Sequence, residues 1–466
     1  MSALDPLEAA LGTRPVPGTP RPFTFPAVER DRLSGGLPVR FVHLPGRPLV
    51  TASLILPMGA VDEPAALGGV TILAARSLTE GTRRRDALAL VEAAERLGAS
   101  LRAEAGWDAT VVGFEVPAER LAPALELLAE IVREPAFPPR EVERLRDQRL
   151  NDLLQAKADP ARRADEVYLA TIYDSASPYA RPAGGLRDTV AGVDADVVGN
   201  AWASWAGFER TALVIGGDLS GIDLAAILEP LLGDLAPAPG AVAAPTPTDA
   251  GRLDRPVVRV VHRAGSVQSE LRVGHRGLSR RTPDFHAVAV MSAILGGLFN
   301  SRLQMKLREE KGYTYGAGAG FDLRRHAGPF TARAAVNTDA TAPALADLIA
   351  ELRRMRESAP TEAELRAARD YLVGVFPLRF ETPGPVVGAV TGIVTHGLPD
   401  DELERYRPAI EAVTADDVLA AARDHLDLDR LGIVLVGDAD AVTADVEALG
   451  LGELEVIRDE DAGSDA

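Results

Sequence analysis

The stretch LGGLFNSRLQMKLREEKGYTYGAGAGFD, Leu295 to Asp322, concentrates the polar and aromatic groups best suited to chemistry in this chain. Arg308 and Tyr315 stand seven residues apart in it. Neither is a base or nucleophile at neutral pH, but a guanidinium fork and a phenol hydroxyl can both donate hydrogen bonds to developing negative charge. Gly296 and Gly297 end one helix, and Asn300 or Ser301 caps a second that runs to Glu310. Lys311 and Gly312 close that helix, and a strand is predicted from Tyr313 onward, with Tyr313 and Tyr315 on one face. Pattern alone also allows a plainer role. Arg308 then only complements the helix dipole, and the tyrosines only pack.

Most other chemistries are excluded by arithmetic. The chain has no cysteine, so disulfides, thiolate nucleophiles and Cys-ligated metals are absent. Its seven histidines, His43, His262, His275, His286, His326, His396 and His425, include no two four residues apart, and so no helical zinc pair. Gly265 and Ser266 lack the second glycine of a nucleophile elbow. The glycines near Gly296 lack the Gly-Lys-Ser/Thr of a phosphate loop, and Gly316 to Gly320 precede no helix. A net charge of -18 argues against nucleic acid. Asp5 and Glu8 stand where a signal peptide needs positive charge, and no stretch approaches eighteen apolar residues. A cytoplasmic chain without membrane contact is expected.

The 466 residues divide nearly in half at a Pro/Ala/Gly stretch. Three landmarks then recur at an offset of 220 residues: Ala122–Leu125 with Ala342–Leu345, the segments starting at Val193 and Val413, and the apolar runs ending at Asp218 and Asp438. Two homologous domains follow, residues 1–235 and 253–458, with a linker 236–252 and an acidic tail 459–466. In the first, strands are predicted at 39–43 and 49–56, helices at 67–78, 86–97 and 121–133, and a hairpin at 100–105 and 109–116 that turns at Gly106, Trp107 and Asp108. Short turns between strands imply antiparallel pairing. The fold class is α+β twice over, each unit a mainly antiparallel sheet with helices packed on one face.

The segment SRL, four residues, then REEKGYTY resembles the C-terminal half of the pitrilysin and insulinase zinc peptidases, especially the short forms related to mitochondrial processing peptidase. Gln268 and Ser269 look like a further family feature. The resemblance implies that Arg308 and Tyr315 contact substrate and stabilise the transition state. Gly297, Phe299, Asn300 and Tyr313, in the same segment, are expected to contact substrate. Active members carry an HxxEH zinc motif before a Gly-Thr pair, with a distal glutamate. Counting back from Gly81 and Thr82 puts Ile72 and Arg76 in the histidine positions and Ala75 at the base; Asn151 and Asp152 fall where the distal ligand belongs. Isoleucine and alanine offer zinc no donor, and arginine repels it. The expectation is a subunit that binds no metal itself, paired with a homologous HxxEH-bearing subunit that holds zinc and acting on a peptide or unfolded protein. An assembly or chaperone-like subunit is the alternative.

Overall fold

The computed structural model describes residues 18, 21–205, 211–235 and 253–458. The expected linker 236–252 and tail 459–466 lie outside the described residues. Among the described residues, twelve strands form two six-stranded sheets. The first contains β1 (Glu29–Arg32), β2 (Pro38–His43), β3 (Leu49–Leu56), β4 (Ser100–Ala105), β5 (Thr110–Pro117) and β6 (Ala212–Gly217), in the order β1-β2-β6-β3-β5-β4. The second contains β7 (Val257–His262), β8 (Gln268–Arg276), β9 (Ala317–Phe321), β10 (Pro329–Asn337), β11 (Gly432–Gly437) and β12 (Glu453–Ile457), in the order β12-β7-β11-β8-β10-β9. Five strands of each sheet repeat the same order, as the duplication requires. The repeat ends at the outer edge, where β1 is antiparallel to β2 but β12 is parallel to β7.

Alternation along β3 turns Val50, Ala52, Leu54 and Leu56 toward the helices of the first half, and Leu271 and Val273 of β8 do the same in the second. Each half therefore packs its own helices on one face of its sheet. The opposite face receives a helix from the other half. Helix Pro160–Ile172 lies on β8 and β11, where the Tyr168 hydroxyl donates to the Phe330 carbonyl and Tyr173 donates to that of Ala327 at 2.9 Å. Helix Pro383–His396 places Val386, Val387 and Val390 against Val42, Ile55 and Val214 of the first sheet. This exchange explains why the central strands β6 and β11 are apolar and buried throughout: they are covered on both faces.

The tips of two equivalent hairpins meet between the halves. The Arg325 guanidinium pairs with Asp62 at 2.7 Å and donates to the Asp108 carbonyl at 3.1 Å, while its backbone amide donates to the Asp108 carboxylate at 2.8 Å. The Arg324 guanidinium lies over Trp107 and Tyr179, 4.4 and 4.7 Å from the ring centres. His396 lies 3.9 Å from Asp108. Burial is the main cause holding His326, His396 and also His286 below the ordinary value of 6.5. These rings fold neutral, whereas the unfolded chain takes up their protons once pH drops below about 6.5. Their contribution to stability is complete above that pH and is lost as pH falls through the folded values. The melting temperature should therefore fall between pH 7.5 and 5.5, and less steeply in a His326→Gln/His396→Gln variant; identical slopes would contradict the assignment.

Candidate functional site

The segment carrying Arg308 is held from beneath. Leu303 and Leu307 are buried in the second core, and the Gln304 side-chain oxygen accepts from the Ala317 amide at 2.9 Å, tying the helical turns to β9. Arg302, itself buried, grips Glu364 through two bonds of 2.7 and 3.2 Å. Burial acts to raise the Glu364 carboxyl, but Arg302 and the Thr361 amide outweigh it and hold it at about 2. Sequence pattern missed this clamp because its partners are 62 residues apart. The available signal was Thr361 with Glu364, a capping box that marks a helix start. Glu364→Gln should cost about 2 kcal/mol, below the range for a fully buried pair because Arg302 is buried but Glu364 is only partly so. Urea denaturation checks this, and a loss below about 0.5 kcal/mol, the scale of an ordinary surface change, would remove the clamp from the account.

The helical turns 304–310 carry π-type bonding, and Gly312 at φ 64° ends them, its amide donating to the Arg308 carbonyl at 3.0 Å. β9 begins only at Ala317. The expected strand start at Tyr313 is thus corrected by four residues. The Thr314 hydroxyl donates to the Gly316 carbonyl and accepts from its amide, turning the chain locally where a ladder would need it extended. Tyr313 and Tyr315 consequently do not share a strand face. Tyr313 is half-buried against the core, while Tyr315 is 92% exposed and makes no hydrogen bond or ring contact among the described residues. Arg308 lies 5.1 Å over the ring of Phe299, which is 67% exposed. Gly297 and Asn300 are exposed beside it. Gln268 is exposed at the start of β8, and Ser269 is a buried tie, accepting from the Thr341 hydroxyl at 2.8 Å.

In the first half, Ile72 and Arg76 stand one turn apart on helix Val70–Ser77 and line a groove of about 830 Å³ beside edge strand β4; Ala75 is fully buried. The buried Glu63 carboxylate positions this helix, accepting from the Gly69 and Thr71 amides at 2.9 and 2.8 Å and pairing with Arg181 at 2.9 Å. Burial pushes Glu63 upward in pKa, and Arg181 opposes it. Helix Pro139–Ala158 packs alongside and carries Asn151 and Asp152. It also brings Arg149, whose pKa burial lowers, with Asp152 opposing and Arg76 adding to the effect. These residues do not fit a zinc ion. Among the described residues no histidine lines the groove, Ile72 and Ala75 lack donors, and Arg149 feels both the Arg76 guanidinium and the Asp152 carboxylate.

One other cluster, His262 with Asp438 and Asp440, has the composition of a metal site. The duplication explains it instead. His262 Nδ1 accepts from the Ala439 amide at 3.2 Å and Asp438 accepts from that of Gly265 at 2.8 Å. His43 accepts from the Leu219 amide at 3.2 Å, and Asp218 from that of Gly46 at 3.0 Å. The same strand-end clasp is built twice, and in the second copy Asp440 is paired with Arg458 at 2.7 Å.

The fold and both segments have counterparts in known proteins. The insulinase pattern of peptidase family M16 matches residues 39–182, and the pattern described as the peptidase M16 inactive domain matches residues 193–372. The chain belongs to the M16 family. It is 24% identical over 410 residues to an uncharacterized zinc protease of Mycobacterium leprae, covering 88% of this chain and 92% of that one. It is 23% identical over 404 residues to a non-peptidase homolog of Helicobacter pylori, covering 86% and 90%. A crystal structure described as a peptidase M16 inactive domain from Pseudomonas fluorescens superposes with a TM-score of 0.81 at 26% identity, over 88% of this chain and 98% of that one. No helix among the described residues is long and apolar enough to cross a membrane.

Proposed function

We propose that this chain is the zinc-free subunit of a two-subunit zinc metallopeptidase, and that it supplies Arg308 and Tyr315 to a site completed by a homologous, HxxEH-bearing partner. The observation behind this reading is Tyr315, a phenol that is 92% exposed and makes no hydrogen bond among the described residues. An exposed phenol in the same segment as the exposed Phe299 ring, over which Arg308 lies, fits a surface whose contacts come from another molecule. Attack on a peptide carbonyl builds negative charge on its oxygen, and the Tyr315 hydroxyl would donate to it. Arg308 would orient the substrate backbone or the phenol with its fork of donors, steadied by Phe299. Gly297 and Asn300 would border the peptide, and Tyr313 would support the turn from below. A peptide or unfolded protein segment is the substrate, and the cytoplasm the compartment.

The similarity to a non-peptidase homolog favours a second reading, a peptide-binding assembly subunit with no catalytic part. Both readings expect this chain to hold no zinc. Calorimetric titration of the purified protein with zinc chloride should give no binding at micromolar concentration. Stoichiometric uptake that survives Asp440→Asn, and so does not use the strand-end clasp, would overturn both.

A further inference from the structure

Starting at Gly316, the residue after Tyr315, a cleft of about 390 Å³ is lined by Gly316, Gly318, Glu270, Arg272 and Arg333. Its charges are unevenly satisfied. Arg272 and Arg333 are direct cross-strand neighbours on β8 and β10, so their side chains rise from the same face of the sheet. Two like charges placed opposite each other are unfavourable unless anions intervene. Arg272 has its anions: Asp165 at 2.5 Å and Glu270 at 2.9 Å, with the Ala161 carbonyl accepting at 3.2 Å. Arg333 is exposed and has no hydrogen bond or ion pair among the described residues. Glu270 is already committed to Arg272. The two carboxylates balance the two guanidiniums in number, but both are bonded to Arg272, which leaves the Arg333 donors without a direct partner among the described residues.

The first half shows how the same position is settled internally. There Ser53, Gly113 and Arg102 occupy the places of Arg272, Arg333 and Gly318, and Arg102 reaches across Gly113 to donate to the Ser53 hydroxyl at 3.3 Å. In the second half the glycine has moved to the edge strand and the arginine to its inner neighbour. Arg333 thus stands next to Gly318, where no side chain covers it, and a Cβ on Gly316 would meet nothing within 4 Å. Space and unused donors are both left open along the residues that follow Tyr315 in sequence.

We infer that Arg333 is a specificity residue that binds a carboxylate of a peptide lying in this cleft, next to the residue positioned at Tyr315. This rests on the proposed peptide-processing role, yet the binding preference can be measured without hydrolysis. The net charge of -18 opposes an anion at long range. That field is screened beyond about 8 Å at physiological salt, and the contact is decided by Arg333 at hydrogen-bond distance.

The test uses the full chain and fluorescein-labelled octapeptides in which one glutamate is walked through the sequence, with the matching glutamine peptides as controls. At one position the glutamate peptide should bind about fivefold more tightly, the upper range of a partly exposed ion pair. The difference should vanish in Arg333→Gln, and Arg333→Glu should favour lysine at that position. A peptide ending in a free carboxylate, run beside its amidated form, separates a chain terminus from a side chain as the source. Equal binding of every glutamate and glutamine pair, with no gain from the free terminus, overturns the inference; so does a preference that survives in Arg333→Gln with the fold intact by circular dichroism. If Tyr315→Phe leaves turnover unchanged while the Arg333-dependent preference persists, the catalytic reading fails and the carboxylate site stands.

Discussion

Replacing Tyr315 by phenylalanine in the assembled two-subunit peptidase is expected to lower kcat by about 10²- to 10³-fold, the cost of removing one oxyanion donor. Phenylalanine keeps the ring and removes only the hydroxyl, so substrate packing and KM should change little. Among the described residues the hydroxyl has no partner, so stability has no reason to move. Loss of turnover with an unchanged melting temperature separates a catalytic role from a structural one. Turnover equal to that of the unmodified complex would leave Tyr315 without the assigned function, and an equal loss in melting temperature would make it a structural residue.

Arg325→Ala should lower the unfolding free energy by about 3–5 kcal/mol. Asp62 and Asp108 are both buried, and the Arg325 guanidinium serves both, through a 2.7 Å ion pair to the first and a 3.1 Å bond to the carbonyl of the second. Alanine removes the cation and leaves two buried carboxylates with less compensation. These three groups tie the 106–108 turn of one half to the 322–328 turn of the other, so the loss falls on the docking of the halves. Urea denaturation followed by tryptophan fluorescence reports it through Trp107, beside the cluster. The loss should shrink when Asp62→Asn accompanies Arg325→Ala, since the worse of the two uncompensated charges is gone. A single variant as stable as the original protein would show that the halves do not depend on this contact.

Much of this architecture was legible because the chain states it twice. The offset of 220 residues gave two homologous units, and strand alternation gave the face each sheet turns toward its own helices. The exchanged helices were not legible: Tyr168 and Val387 are apolar-face residues like many others, and nothing local says that their partners lie in the opposite half. In the Arg308–Tyr315 segment, sequence pattern starts the strand at Tyr313, four residues before β9 begins. The alternation of Tyr313 and Tyr315 has the period of a strand, whereas Gly312 and the Thr314 hydroxyl set the backbone. Arg333 drew no attention because its significance is a cross-strand clash with Arg272, which depends on register. The Arg149 guanidinium near Arg76 was equally invisible, since the two are 73 positions apart and meet only through helix packing.

In the proposed complex, Arg308 and Tyr315 work on a site whose metal another protein holds. The most direct test mixes the purified chain with a purified homologous subunit bearing HxxEH, in the presence of zinc, and follows cleavage of an internally quenched peptide. Hydrolysis by the mixture, with neither protein active alone, is the predicted result. A partner that cleaves equally well without this chain, or cleavage by this chain alone, would contradict it.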